Sequence, residues 1–253
     1  MRDLFCVNGS PSQLIEISPE VDLEFAPNER IRGFDLRLDG GDISFSEGFF
    51  SEKLSNRMVA YLQENSRYDW RTTDWSKISE KDLEEIEFRN LKWKQDHIRL
   101  FGKVVPLPRL TSWYGDPGAS YSYSGIRSTP NPWNAGLLHL KKLIEDAIGS
   151  SFNSVLLNWY RDGSDSLSWH ADDEKELGSE PIIASANFGA SRDFMLRRKD
   201  NKRKLISIRL QHGSLLVMRG NTQENWEHSV PKRKGTRSSR FNLTFRRIAV
   251  ERS

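Results

Sequence analysis

His170-Ala171-Asp172 and, 56 residues beyond the aspartate, His228 are the residue types that could hold a metal ion. In extended backbone, positions i and i+2 project to the same side, so the imidazole and the carboxylate of the first run can share one ion. A second imidazole would complete a set of two nitrogens and one oxygen on one face. That is the non-haem Fe(II) facial triad, whose open positions suit O2 and a bidentate cosubstrate. A bare His-x-Asp pair also arises by chance, so the triplet does not decide alone. His139, in a helical pattern, and His212, at a turn before Gly213, read as structural.

A second pattern lies in Arg240-Phe241-Asn242-Leu243-Thr244-Phe245-Arg246. Strand alternation puts Arg240, Asn242, Thr244 and Arg246 on one face and Phe241, Leu243 and Phe245 on the other. Two inward arginines are costly unless anions pair with them. A dicarboxylate lying along the strand would give each a bidentate partner. Asn158 and Tyr160, again i and i+2, could add neutral donors from a neighbouring strand. The alternative is an exposed strand whose arginines are solvated.

These residues need elements to position them. Glu47–Glu64 and Asn134–Ile148 carry apolar residues at helical spacing, and Ile78–Leu91 is a more polar helix candidate. From Ile98 the pattern changes to short strands with turn punctuation. Strands are expected at Ser154–Tyr160, Ile182–Phe188, Asp193–Arg197, Leu205–Leu210, Ser214–Met218 and Arg240–Arg247. The expected fold is α+β: a jelly-roll (double-stranded β-helix) core with flanking N-terminal helices. Residues 1–45 read as a variable, loosely structured lead-in with a strand or two. Residues 46–253 form the main domain, with a helical and recognition part at 46–150 and a catalytic core at 151–248.

Composition narrows the class. The hydrophobic share is 36%, with eight Trp and thirteen Phe, enough for a core. No apolar run approaches the ~20 residues of a membrane span, and the first residues lack an apolar signal region. Cys6 is the only cysteine, which excludes an internal disulfide. The reading is an intracellular, monomeric protein without a membrane partner, nuclear if eukaryotic and cytoplasmic if bacterial. Residues 186–253 hold 17 Lys/Arg against 5 Asp/Glu, a surplus of twelve in a chain of net charge +3. A basic third suits a polyanion, although a solvated basic face would look the same.

Together the pieces resemble a known family. Asn158-Trp159-Tyr160, His170-Ala171-Asp172-Asp173-Glu174, Ala186-Asn187-Phe188-Gly189-Ala190-Ser191-Arg192, Trp226-Glu227-His228 and the Arg240–Arg246 run resemble, in order and spacing, AlkB-type Fe(II)/2-oxoglutarate dioxygenases. Pro108-Arg109-Leu110-Thr111, Trp113-Tyr114-Gly115-Asp116 and Tyr121-Ser122-Tyr123-Ser124-Gly125 resemble the nucleic-acid-repair branch. The resemblance implies that His170, Asp172 and His228 hold Fe(II). It also implies that Arg240 and Arg246 pair with the distal and C1 carboxylates of 2-oxoglutarate, helped by Asn158, Tyr160, Asn242 and Thr244. O2 is the second cosubstrate, and succinate and CO2 are released. An N-methyl group on 1-methyladenine or 3-methylcytosine is hydroxylated and leaves as formaldehyde.

A methylated base in a duplex must be flipped out or met in a single strand. Tyr121 and Tyr123 then offer a stacking wall with Ser124 beside them, and Asp173 and Glu174 place negative charge near a cationic base. By resemblance, Arg109 contacts base or backbone. Leu100-Phe101-Gly102-Lys103 nearly repeats the Val-Phe-Gly-Lys hairpin of the branch's duplex-acting members, where an apolar tip can wedge into the stack. A Phe tucked into the core is the alternative. The expected partner is alkylated DNA, single- or double-stranded. An RNA demethylase, a protein or small-molecule hydroxylase, and a non-catalytic nucleic-acid-binding jelly roll are the rival readings.

Overall fold

In the computed structural model, residues 13–100, 103–119, 121–123 and 126–249 are described, without the side chains of residues 99, 100, 121–123 and 126–128. Two sheets carry the fold. The larger has nine strands, in spatial order Asn131–Pro132, Leu110–Gly115, Ser154–Tyr160, Arg240–Arg246, Ile183–Gly189, Leu215–Arg219, Gly41–Ser46, Gly33–Leu38 and Leu23–Asn28. The smaller has five: Ile15–Ile17, Leu205–Leu210, Arg192–Arg198, Trp226–Val230 and Leu167–His170. His97–Leu100 pairs with Lys103–Pro106, and Tyr121–Tyr123 with Ile126–Ser128, as separate hairpins.

Period-2 alternation explains the layering. Phe194, Leu196, Ile206, Ile208 and Leu210 of the smaller sheet pack against Ile43, Phe45, Ile183, Leu216 and Met218 of the larger. The opposite face of the larger sheet presents Val155, Leu157, Trp159, Phe241, Leu243 and Phe245 to Met58, Leu62, Leu137, Leu140 and Ile144 of two helices. The layers therefore run small sheet, large sheet, helices. The α+β class follows from this arrangement.

The helix Ala135–Ile148 begins where Asn134 accepts the Leu137 N–H at 3.0 Å and ends at Gly149, whose φ of 69° is the left-handed stop. Ser51 likewise caps Glu52–Gln63, so that helix starts later than the apolar spacing suggested. The polar candidate Ile78–Leu91 is helical only over Glu80–Glu84. Ser79 caps its start at 3.1 Å, but Glu84, Glu85 and Glu87 put negative charge at the end where the helix dipole disfavours it. No helix among the described residues is long and apolar enough to cross a membrane.

Residues 15–46 carry more structure than a loose lead-in. Leu23–Asn28, Gly33–Leu38 and Gly41–Ser46 extend the larger sheet, and Ile15–Ile17 pairs with Leu205–Leu210 at the edge of the smaller one. Short strands with few apolar positions gave weak periodicity, and their pairing is what orders them.

Candidate functional site

His170 and His228 stand directly opposite each other on adjacent strands of the smaller sheet, facing the larger one. Their ring centroids lie 4.2 Å apart. Asp172 follows just after the first strand, and one ligand atom from each of the three lies within 4.8 Å of the others. Asp172 and His228 are buried, whereas His170 is partly open to solvent. The His170 Nδ1 lies 2.9 Å from the Ser168 carbonyl, which can only accept, so that nitrogen donates and Nε2 is the nitrogen turned towards Asp172.

The electrostatics fit a cation. Burial alone would raise the Asp172 carboxyl, but the Arg246 guanidinium and both imidazoles outweigh it and hold the group below the usual carboxylate range. Burial, with His170 beside it, depresses the His228 imidazole to about 3, so it is a neutral donor at ordinary pH. A neutral His228 imidazole and an ionised Asp172 carboxylate, with His170 Nε2 beside them, are donor types a divalent metal takes.

The facing strand is Arg240–Arg246. Its alternate residues point into the space between the sheets, as the pattern predicted, and the solvated-strand alternative fails because Arg240 is 1% exposed. Arg240 donates from Nη2 to Asn187 Oδ1 at 2.6 Å, and its guanidinium lies 5.0 Å from the Tyr160 ring centroid. Burial lowers its pKa to about 10. Arg246 donates to Asp172 Oδ1 at 2.6 Å. Asn242 donates to Ser185 Oγ at 2.7 Å, and Thr244 donates to Asn242 at 3.1 Å.

Several buried polar atoms here have no hydrogen-bond partner among the described residues: Tyr160 Oη, Arg240 Nε and Nη1, and Arg246 Nε. Orphaned charged donors in a dry interior are unfavourable unless an anion meets them. The donor types of this set suit a small dicarboxylate. The residues present thus fit both a divalent metal and 2-oxoglutarate.

The remaining sequence candidates lie around this centre. Arg109 reaches inward and donates from Nε to Asn158 Oδ1 at 2.8 Å, which brings it to the cosubstrate residues. Asp173 is exposed and pairs with Lys199 at 2.9 Å; Glu174 is half-buried next to it. Lys103 is exposed on the strand opposite Leu100. Tyr121 and Tyr123 lie on a hairpin strand. Phe101, Gly102 and Ser124 lie outside the described residues.

Three residues at the site were given no role from the sequence, although Asn187 and Arg192 stand in a run that carries the resemblance. Asn187, buried, accepts from both Arg240 and Asn242. Its signal was the alternation of Ser185 and Asn187 with Ala184, Ala186 and Phe188 in a strand that otherwise reads as apolar. Arg192, also buried, donates to the carbonyls of Asp162, Asp165 and Pro231 and tethers the turns beneath Tyr160. Gln223 accepts the Asp172 N–H at 2.9 Å. Nothing periodic marks the last two, because their partners are backbone groups distant in sequence.

Residues 43–246 match the 2OG-Fe(II) oxygenase superfamily. The human alpha-ketoglutarate-dependent dioxygenase alkB homolog 3 is 47% identical over 189 residues, covering 71% of this chain and 63% of that protein. The mouse DNA oxidative demethylase ALKBH2 is 37% identical over 201 residues, covering 71% of this chain and 84% of that protein. The matches to the rat, bovine and mouse alkB homolog 3 proteins span between 58% and 63% of those proteins' lengths. Among solved structures, that of OsALKBH1 superposes with a TM-score of 0.43 at 21% identity, over 56% of this chain and 79% of that one. A His–Asp–His set between two sheets, faced by two arginines with unpartnered nitrogens, thus coincides with a match over most of the sequence: the chain belongs to the 2OG-Fe(II) oxygenase superfamily and, within it, to the AlkB-type dioxygenases.

Proposed function

We propose that this protein is an oxidative demethylase of N-alkylated DNA bases, working with Fe(II), O2 and 2-oxoglutarate on a jelly-roll core. The observation that carries the reading is the coincidence of the His170–Asp172–His228 set with unpartnered, buried guanidinium donors on the facing strand. The names of its AlkB relatives, dioxygenases and DNA oxidative demethylases, support it. So does the loop Pro231–Ser239, which carries Lys232, Arg233, Lys234 and Arg237 and no acid, a composition suited to phosphates.

The bound metal and 2-oxoglutarate supply the oxidising power, with O2, for hydroxylating an N-methyl group, whose carbinol then departs as formaldehyde. The chain's own residues hold and orient. Arg240 and the Tyr160 hydroxyl take one carboxylate of the cosubstrate and Arg246 the other, while Arg246 also keeps Asp172 ionised. Asn187 holds the Arg240 guanidinium in place, and Arg109 with Asn158 closes the neighbouring wall. The partly open His170 side faces the incoming base. Phe194, whose ring lies 5.0 Å from that of His228, helps keep water from the other side.

Formaldehyde release from matched oligonucleotides carrying 1-methyladenine or 3-methylcytosine tests this, as single-stranded DNA, duplex DNA and RNA. Release that requires 2-oxoglutarate and added Fe(II) and is highest on DNA is the expected result. Equal or greater turnover on RNA would move the assignment to an RNA demethylase, and no release from any of them would overturn it.

A further inference from the structure

Gln223 lies in the one-turn helix Thr222–Asn225, just before the strand that carries His228, and is 2% exposed. Its Oε1 accepts the Asp172 N–H at 2.9 Å, and its Nε2 donates to Met218 Sδ at 3.2 Å. The amide orientation is fixed by this pair, since an amide nitrogen cannot accept from the Asp172 N–H. Asp172 lies beyond the end of Leu167–His170, so no strand partner takes its N–H.

The same short segment is fastened from behind. Thr222 Oγ1 accepts the Asp42 N–H at 3.0 Å, Asn225 donates to the Gly40 carbonyl at 3.1 Å, and Trp226 Nε1 donates to the Asp39 carbonyl at 3.0 Å. Gly40 has a φ of 68°, and a Cβ there would meet Asn225 Nδ2 at 2.8 Å. Residues 222–226 are thus tied to the Asp39–Asp42 turn on one side and to Asp172 on the other, with His228 two residues on.

We propose that Gln223 is a positioning residue for the ligand Asp172, and that the Thr222–Asn225 turn acts as a bracket setting Asp172 and His228 against each other at the distance one metal ion requires. This rests on the reading of His170, Asp172 and His228 as a divalent metal site. Without the Gln223 acceptor, the Asp172 N–H is left buried and unpaired, and the backbone that carries the carboxylate loses its tie to the Thr222–Asn225 turn. Outer partners of metal ligands commonly carry 10–100-fold in metal affinity.

The test is Mn(II) titration of the full chain, followed by the EPR signal of free Mn(II), with a melting curve of each metal-free protein. Asp172→Ala should abolish binding; if it binds as the parent does, the metal-site reading itself falls. Gln223→Met, of similar volume but with no acceptor, should weaken binding about 10–100-fold. Gln223→Asn, polar but one methylene too short to reach, should lose as much and covers a Met variant that fails to fold. Loss of binding in Asp172→Ala with parent-like binding in both Gln223→Met and Gln223→Asn would overturn the bracket. A lowered melting temperature with unchanged Mn(II) affinity would also overturn it, showing a residue that serves only packing.

Discussion

Arg246 on the larger sheet donates to Asp172 on the smaller-sheet side at 2.6 Å, so one guanidinium bridges the two groups of residues assigned to cosubstrate and metal. Its Nε remains without a partner, which leaves one edge of the fork for a second anion.

Arg246→Ala should therefore raise the 2-oxoglutarate requirement by about one to two orders of magnitude, since a charge-assisted pair is worth roughly 1.5–3 kcal/mol. Lys, lacking the fork, should restore only part of it. Succinate formation against 2-oxoglutarate concentration measures this, and an unchanged half-saturation point would remove Arg246 from the cosubstrate's partners.

Arg240→Met makes the opposite trade in the empty and loaded protein. The native guanidinium is a desolvated cation with two unpaired nitrogens, so its removal should leave the melting temperature of the metal-free protein unchanged or higher. The parent should gain roughly 2.7 kcal/mol when Mn(II)-loaded protein meets 2-oxoglutarate at ~100 times its Kd, and the variant should gain almost nothing. A variant that keeps the full cosubstrate-dependent rise in a thermal scan would show that Arg240 does not touch the dicarboxylate.

His212 gives a pH effect separate from the metal. Its Nδ1 accepts the Gly189 N–H at 2.9 Å, and burial lowers its pKa below the ordinary 6.5 although Glu52 pulls the other way. The unfolded chain therefore binds this proton more readily, and the contribution is complete above about pH 6.5 and lost as pH falls below it. His212→Asn, whose side-chain oxygen can accept the same N–H, should show a smaller drop in urea midpoint between pH 7 and pH 5. Parallel pH profiles for the two proteins would reject the role.

Phe101→Ala should depress demethylation of duplex DNA about tenfold while sparing single strands, if the residue restacks the gap at roughly 1–3 kcal/mol. Its flanking strands pair in register, with Leu100 opposite Lys103. Equal losses on both substrates with a lowered melting temperature would mark a packing residue instead.

The sequence disclosed most where chemistry and periodicity coincide in one strand. Arg240–Arg246 was legible because its polar and apolar residues alternate and both faces have strict demands. Asn158 and Tyr160 were legible for the same reason. His170 and Asp172 needed only extended-chain geometry, but the approach of His228 depends on antiparallel pairing that no local pattern encodes. Gln223 and Arg192 stayed hidden because each serves backbone groups, which leave no mark on side-chain composition. The short strands of residues 15–46 were underread since their order comes from neighbours far along the chain.

The place of Arg240–Arg246 in the larger sheet has a consequence for biosynthesis. The strand follows the other strands of both sheets in sequence, yet it sits between Ser154–Tyr160 and Ile183–Gly189 and pairs with both. A chain halted or cut before Arg240 would expose two unpaired inner edges, a state prone to aggregation and to proteolysis. Such a fragment would hold His170, Asp172 and His228 but neither arginine, and could not form the sheet that faces them. Closure of the centre thus waits on a non-local strand: His170, Asp172 and His228 precede it in sequence, and the sheet that faces them is joined only when Arg240–Arg246 pairs on both sides.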